Sequence, residues 1–172
     1  MLNGIFFVCL SLSLYSAGSS LSCRWMTHKF RQHSTNSLEL IDTMANNSTN
    51  TTEDEVDFPS DLYSQASKKS AEDKLSFTVQ ILEEMVSLFE EDHSAASWEE
   101  KTVDHFLIVV TQQADGLKSC IRGHSHKNKK LHMYFKRLSG HVLKRMGHSA
   151  EAWELIREEM KTHLIRAEQL LL

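Results

Sequence analysis

Five stretches of this chain place apolar side chains at alternating steps of three and four residues, the period of a helix buried along one side. A single proline, Pro59, stands outside all five, so nothing breaks those repeats. A chain patterned this way folds as an all-α bundle, and its 172 residues are enough for one domain with a sizeable core. From Cys23 to about Ala45 the stripe reads Met26, Phe30, His33, Ser37, Ile41 and Met44. Its middle is polar, so large side chains from elsewhere must pack against it, and His33 reads as a packed, hydrogen-bonded residue rather than a ligand. Ala71 to Glu91 carries Leu75, Val79, Leu82, Val86 and Phe89, flanked by Ile81, Met85 and Leu88. Ser70 supplies its N-cap, and Glu72 and Asp73 place carboxylates where free amides and the helix dipole favour them. A third helix follows Ser97 and reaches about Ile121, with Val103, Phe106, Val110, Leu117 and Cys120 inward. Phe106 to Val110 alone would suit a buried strand. Trp98, Val103, Ala114, Leu117 and Ile121 continue the helical period on both sides and predict a central helix covered on most sides. Lys129 to Met146 carries Leu131, Phe135, Leu138, Val142 and Met146 and is ended by Gly147. Ser149 caps the last helix, whose stripe is Trp153, Ile156, Met160, Leu164, Ala167 and Leu171.

The links after the second, third and fourth helices are short and the one after the first is long. An up-up-down-down bundle needs long crossovers. The first connection supplies one and a middle helix would supply the other, while a simple up-down bundle fits the same lengths. Within the long connection, Asn46 to Glu55 has no apolar residue and reads as an exposed loop. Asn46, Asn47 and Asn50 each open an Asn-X-Ser/Thr sequon, and the overlap of the first two disfavours use of both. Phe58-Pro59-Ser60-Asp61-Leu62-Tyr63 then gathers three large apolar residues and reads as a loop pinned back onto the bundle.

Residues 1–22 lack Asp, Glu, Lys and Arg, and Ile5 to Leu14 form an apolar run too short to span a bilayer. With Ser16 to Ser20 behind it, this segment reads as a removable signal peptide, although no Lys or Arg precedes the apolar run. The domain is then 23–172, secreted. Cleavage removes Cys9 and leaves Cys23 and Cys120 in an oxidising compartment. Paired, they would close a loop worth about 4 to 5 kcal/mol in chain entropy. Free or intermolecular thiols are the alternative.

A net charge of −4 argues against a broad nucleic-acid surface. The cluster Lys127, Lys129, Lys130, Lys136 and Arg137 reads first as a solvated helix start. There is no glycine-rich phosphate loop, nucleophile elbow or paired Cys-X-X-Cys motif, so an enzyme is not expected. His124 and His126 make only a weak metal signal, and neither a metal nor a cofactor is called for. Glu83, Glu84, Glu90 and Glu91 read as solvated helix surface.

Taken together, Cys23-Arg24-Trp25-Met26 after the signal segment, Phe58-Pro59, Cys120 closing the third helix, and Ser149-Ala150-Glu151-Ala152-Trp153-Glu154 opening the last resemble the type I interferons, closest to the two-cysteine group of ray-finned fish. Where that family usually has Cys-Ala-Trp this chain has Glu151-Ala152-Trp153, consistent with a missing second disulfide. The resemblance implies a class II helical cytokine bundle of five main helices with an up-up-down-down core and a Cys23–Cys120 bridge. It implies a monomer that binds a heterodimeric class II cytokine receptor without catalysis or membrane insertion, triggers JAK-STAT signalling and induces an antiviral state. One receptor surface would lie on the long first connection and the last helix, the other on the middle helices. The candidate contacts are Phe58, Leu62, Tyr63, Arg157, Glu158, Lys161 and Ile165, with the first three able to act instead as staples and Phe58 expected to pack inward. Another secreted helical cytokine of the same receptor class, or more remotely a helical carrier or antimicrobial bundle, would share the composition, although the acidic balance weighs against the last.

Overall fold

The computed structural model describes residues 23–45 and 56–172. The signal-peptide reading and the sequons at Asn46, Asn47 and Asn50 lie outside the described residues. Helix α1 opens with a π-helical turn, Met26–Phe30, and runs on through Arg31–Thr43. It is followed by α2 (Ser60–Ser67), α3 (Ala71–Phe89), α4 (Glu100–Lys118), α5 (Lys129–Arg137, continuing as a π-helical segment Leu138–Lys144) and α6 (Ala150–Leu171). No strand occurs among the described residues.

Three of these helices start where a side chain satisfies a free amide. Ser70 accepts from Asp73 N at 3.2 Å, Asn128 from Leu131 N at 3.1 Å and Ser149 from Ala152 N at 3.2 Å. Helix α2 corrects the expectation of a pinned loop. Leu62, Tyr63 and Ala66 are buried on one side of it, but two turns are too few for a periodic signal to stand out in the sequence.

Cross-helix contacts fix the directions. Cys23 at the start of α1 is bonded to Cys120 just beyond the end of α4, with Cα atoms 5.0 Å apart, so α1 and α4 are antiparallel. Arg157 near the start of α6 reaches the carbonyl of Ile41 near the end of α1 at 3.2 Å, and Trp153 lies 5.7 Å from Phe89 at the end of α3. Helix α6 is therefore antiparallel to both. The four long helices make a square with α1 opposite α3 and α4 opposite α6, an up-up-down-down core. Gln80 meets Asn128, and Glu84 meets His132, so α5 runs parallel to α3. It carries the chain from the end of α4 back to the start of α6, and is the second crossover.

The apolar middle of α4, read as a central helix covered on most sides, is partly open, since Ile108 is 54% exposed and Leu107 half-buried. An all-round apolar stretch says how much surface prefers burial, not which sides acquire neighbours. Helix α3 is more enclosed than α4, touching α2, α4, α5 and α6. At its end, Phe89 meets Phe106, Trp98 and the fully buried Trp153, whose indole donates to Asp92 O at 2.9 Å.

The polar middle of α1 has a packing reason. Ser34 and Ser37 are buried, and Ser37 Oγ donates to Ser34 O at 2.9 Å, so small side chains with satisfied hydroxyls let the neighbouring helices approach closely. His33 donates from Nδ1 to Lys29 O at 2.9 Å and rests on Trp25. Trp25 lies directly on Gly116 of α4, where a Cβ would stand 2.0 Å from Trp25 Cε2. Alanine ordinarily favours a helix over glycine by about 1 kcal/mol, but here the indole would have to leave its seat. Gly116→Ala is expected to lower stability by about 1 to 3 kcal/mol, opposite in sign to the helix propensity, in chemical denaturation. The double variant Cys23→Ser, Cys120→Ser should lose about 4 kcal/mol, and reductant should reproduce that loss in the wild type but leave the variant unchanged.

Candidate functional site

The first connection and α6 meet along one side of the bundle, and the residues there divide into an inner and an outer set. Arg157 belongs to the inner one. Only 3% exposed, it donates from Nε to both carboxylate oxygens of Glu154 at 3.0 Å and from Nη1 to Ile41 O, while Nη2 bonds Glu154 and Glu158. Burial works against its charge, but the hydrogen bonds and field of Glu154, with Glu158 behind it, outweigh that and raise its pKa. The expectation that Arg157 is an accessible contact is therefore corrected. It lies off the inward stripe by period, yet the end of α1 covers it. Its outer neighbour Lys161 pairs with Asp42 at 2.6 Å across the same junction.

Leu62 and Tyr63 are also buried and act as staples, not open contacts. The Tyr63 hydroxyl donates to His163 Nδ1 at 2.7 Å, His163 Nε2 lies 3.0 Å from the Tyr134 hydroxyl, and Tyr134 donates to Glu159. Because the Tyr134 proton goes to the carboxylate, Nε2 must carry the hydrogen given to Tyr134, leaving Nδ1 free to accept from Tyr63. This chain of bonds favours a neutral imidazole. Burial does the same, holding the His163 pKa down at about 3, and it pushes the Tyr63 pKa above its ordinary value. Phe58 is half-buried, stacked on Tyr63 at 5.5 Å and 4.6 Å from the His163 ring, with the Arg166 guanidinium 5.3 Å from the Tyr63 ring centre.

The outer set is Glu158, Lys161 and Ile165, with the edge of Phe58 beside Arg166. Ile165 is 37% exposed with no stripe position to fill. Sequence reasoning missed Asp42, Arg166 and the His163 network. His163 could have been found, since it sits between Met160 and Leu164 on the inward side.

Residues 26–172 match the family model of the interferon alpha/beta domain. The chain belongs to the interferon family. It is 35% identical over 144 residues to Interferon a3 of Oncorhynchus mykiss, covering 84% of this chain and 82% of that protein. The solved structure of Zebrafish interferon 1 is similar at a TM-score of 0.74 and 30% identity, covering 87% of this chain and 97% of that one. The interferon is of type I, a helical cytokine rather than a member of an enzyme family.

Unfolded His163 takes up a proton near 6.5, whereas in the folded interferon it does so only near 3. The unfolded state binds more protons between those values, so His163 contributes full stability above pH 6.5 and loses it as the pH falls toward 3, by up to about 1.4 kcal/mol per unit. Denaturation at pH 7 and pH 5 should show a loss about 1 to 2 kcal/mol greater for the wild type than for His163→Gln. In the folded wild type the His163 ring resonances should not titrate above pH 4.

Proposed function

We propose that this interferon is secreted after loss of residues 1–22, binds the two chains of a class II cytokine receptor as a monomer, and triggers JAK-STAT signalling and an antiviral state. The observation that carries this reading is the outer strip of α6, Glu158, Lys161 and the exposed Ile165, whose charged members pair with Arg157 and Asp42. Such a strip offers an apolar anchor within a charged rim, the makeup of a binding hot spot. A second receptor chain would take the middle helices, and assembly of the two requires no catalysis by the ligand. The Cys23–Cys120 bridge supports an oxidising, extracellular setting, and no described helix is long and apolar enough to cross a membrane. Asn46, Asn47 and Asn50 are the proposed N-glycan acceptors.

The purified, oxidised chain from Cys23 onward should cause STAT phosphorylation within minutes in responsive fish cells, then lower viral yield, with both abolished by a receptor-chain ectodomain. Ile165→Glu should cut potency about 10-fold with an unchanged melting temperature. Arg157→Ala should instead cost about 3 kcal/mol of stability, because it strands a buried carboxylate and carbonyl. A folded wild type that elicits no phosphorylation would overturn the proposal.

A further inference from the structure

From Gly116 to Ala150 the chain contains no Asp or Glu, although the protein as a whole is acidic. Helix α5 lies within that stretch, and its basic residues come in doublets, Lys129-Lys130, Lys136-Arg137 and Lys144-Arg145, seven and then eight residues apart. All six are exposed, as are Met133 and His141 between them, while Leu131, Phe135, Leu138 and Val142 point into the core. Seven residues are about two α-helical turns, or roughly 10 Å of axis, which returns the second doublet to the face of the first. Eight would overshoot in an α-helix. Here the second interval falls in the π-helical segment, where Arg145 N bonds Gly140 O at 3.2 Å, and its wider turns take more residues, keeping the third doublet in line.

The carboxylates that reach this helix bond histidines and hydroxyls rather than its lysines and arginines, and Asp57 and Asp61, which line a cleft with Lys129, Lys130 and Arg137, make no ion pair with them. Glu84 of α3 pairs with His132, Glu91 next to α3 with His148 and Ser139, and Glu159 of α6 with Tyr134. Among the described residues Lys129, Lys130, Lys136, Arg137 and Lys144 have no ion-pair partner. Five cations in a row lower their mutual repulsion by taking up an anion of matching shape. The row is one helix wide, which matches a linear polyanion, whereas a flat anionic bilayer would call for a broad basic field with more apolar surface than Met133 provides. We propose that the outer face of α5 binds a linear sulfated polysaccharide, with sulfates seated on successive doublets, and that this site is separate from the α6 strip.

The test uses purified, oxidised protein on immobilised heparin with no receptor present, so it stands or falls apart from the signalling proposal. The wild type should remain bound above 0.15 M salt, roughly physiological, and its affinity should fall steeply as salt rises because bound counterions are released. Lys136→Gln, Arg137→Gln and, separately, Lys129→Gln, Lys130→Gln should each weaken binding at least 10-fold. Lys29→Gln, Arg31→Gln on α1, an equal change of charge, should stay within twofold. All these side chains are exposed, so unchanged melting curves are expected. Equal loss in the α1 variant, equal binding to desulfated heparin, equal binding to phosphatidylserine vesicles, or wild-type elution below 0.15 M salt would each overturn the proposal.

Discussion

The structure depends on α6 being enclosed, with α1 and α3 on either side of it and α2 and α5 closing its flanks. Its apolar stripe from Trp153 to Leu164 provides the driving force, through burial of large side chains that each contribute about 1.5 to 3 kcal/mol. Enclosure reaches beyond that stripe. A helix with neighbours on several sides also buries residues that its own period would leave outside, and polar groups among them must find partners or cost several kcal/mol. Arg157 is such a residue, and His163 is a second buried polar group, on the inward side itself. Glu154 and the Ile41 carbonyl answer the first, and two tyrosines answer the second. Both solutions tie α6 to the far ends of other elements, so satisfying the buried groups also sets where α1 ends and where α2 docks.

The α1 and α4 pairing follows the same logic with different means. The bare backbone at Gly116 admits Trp25, and the Cys23–Cys120 bond closes the end of that contact. A bond closing a long loop raises the free energy of the unfolded chain, while the indole fills the space over the bare helix backbone at Gly116.

Charge is distributed by face. Helix α3 meets α5 through carboxylate–histidine and carboxylate–hydroxyl contacts, which leaves the lysines and arginines of α5 outward. Helix α6 meets α1 through Asp42 and Lys161, which leaves Glu158 and Ile165 outward. The acidic whole therefore carries one compact basic ridge and one mixed strip, on different helices. Net charge alone cannot describe such a surface.

The α-helical class, the five long helices, two of their caps and the cysteine pair were legible in the sequence, because period, capping chemistry and the count of thiols are local or nearly local properties. Phe58, Leu62 and Tyr63 were recognisable as apolar anchors, though not as parts of a helix-bearing connection. What only the tertiary structure decided is which side of each helix acquires a neighbour. Ile108 looks like core and is exposed, and Arg157 looks like surface and is buried. Sequence period reports the preference of one helix for burial, but the burial of a given residue is a sum over every element packed around it. Where helices meet on more than one side, that sum is fixed by crossing geometry, which no single segment encodes.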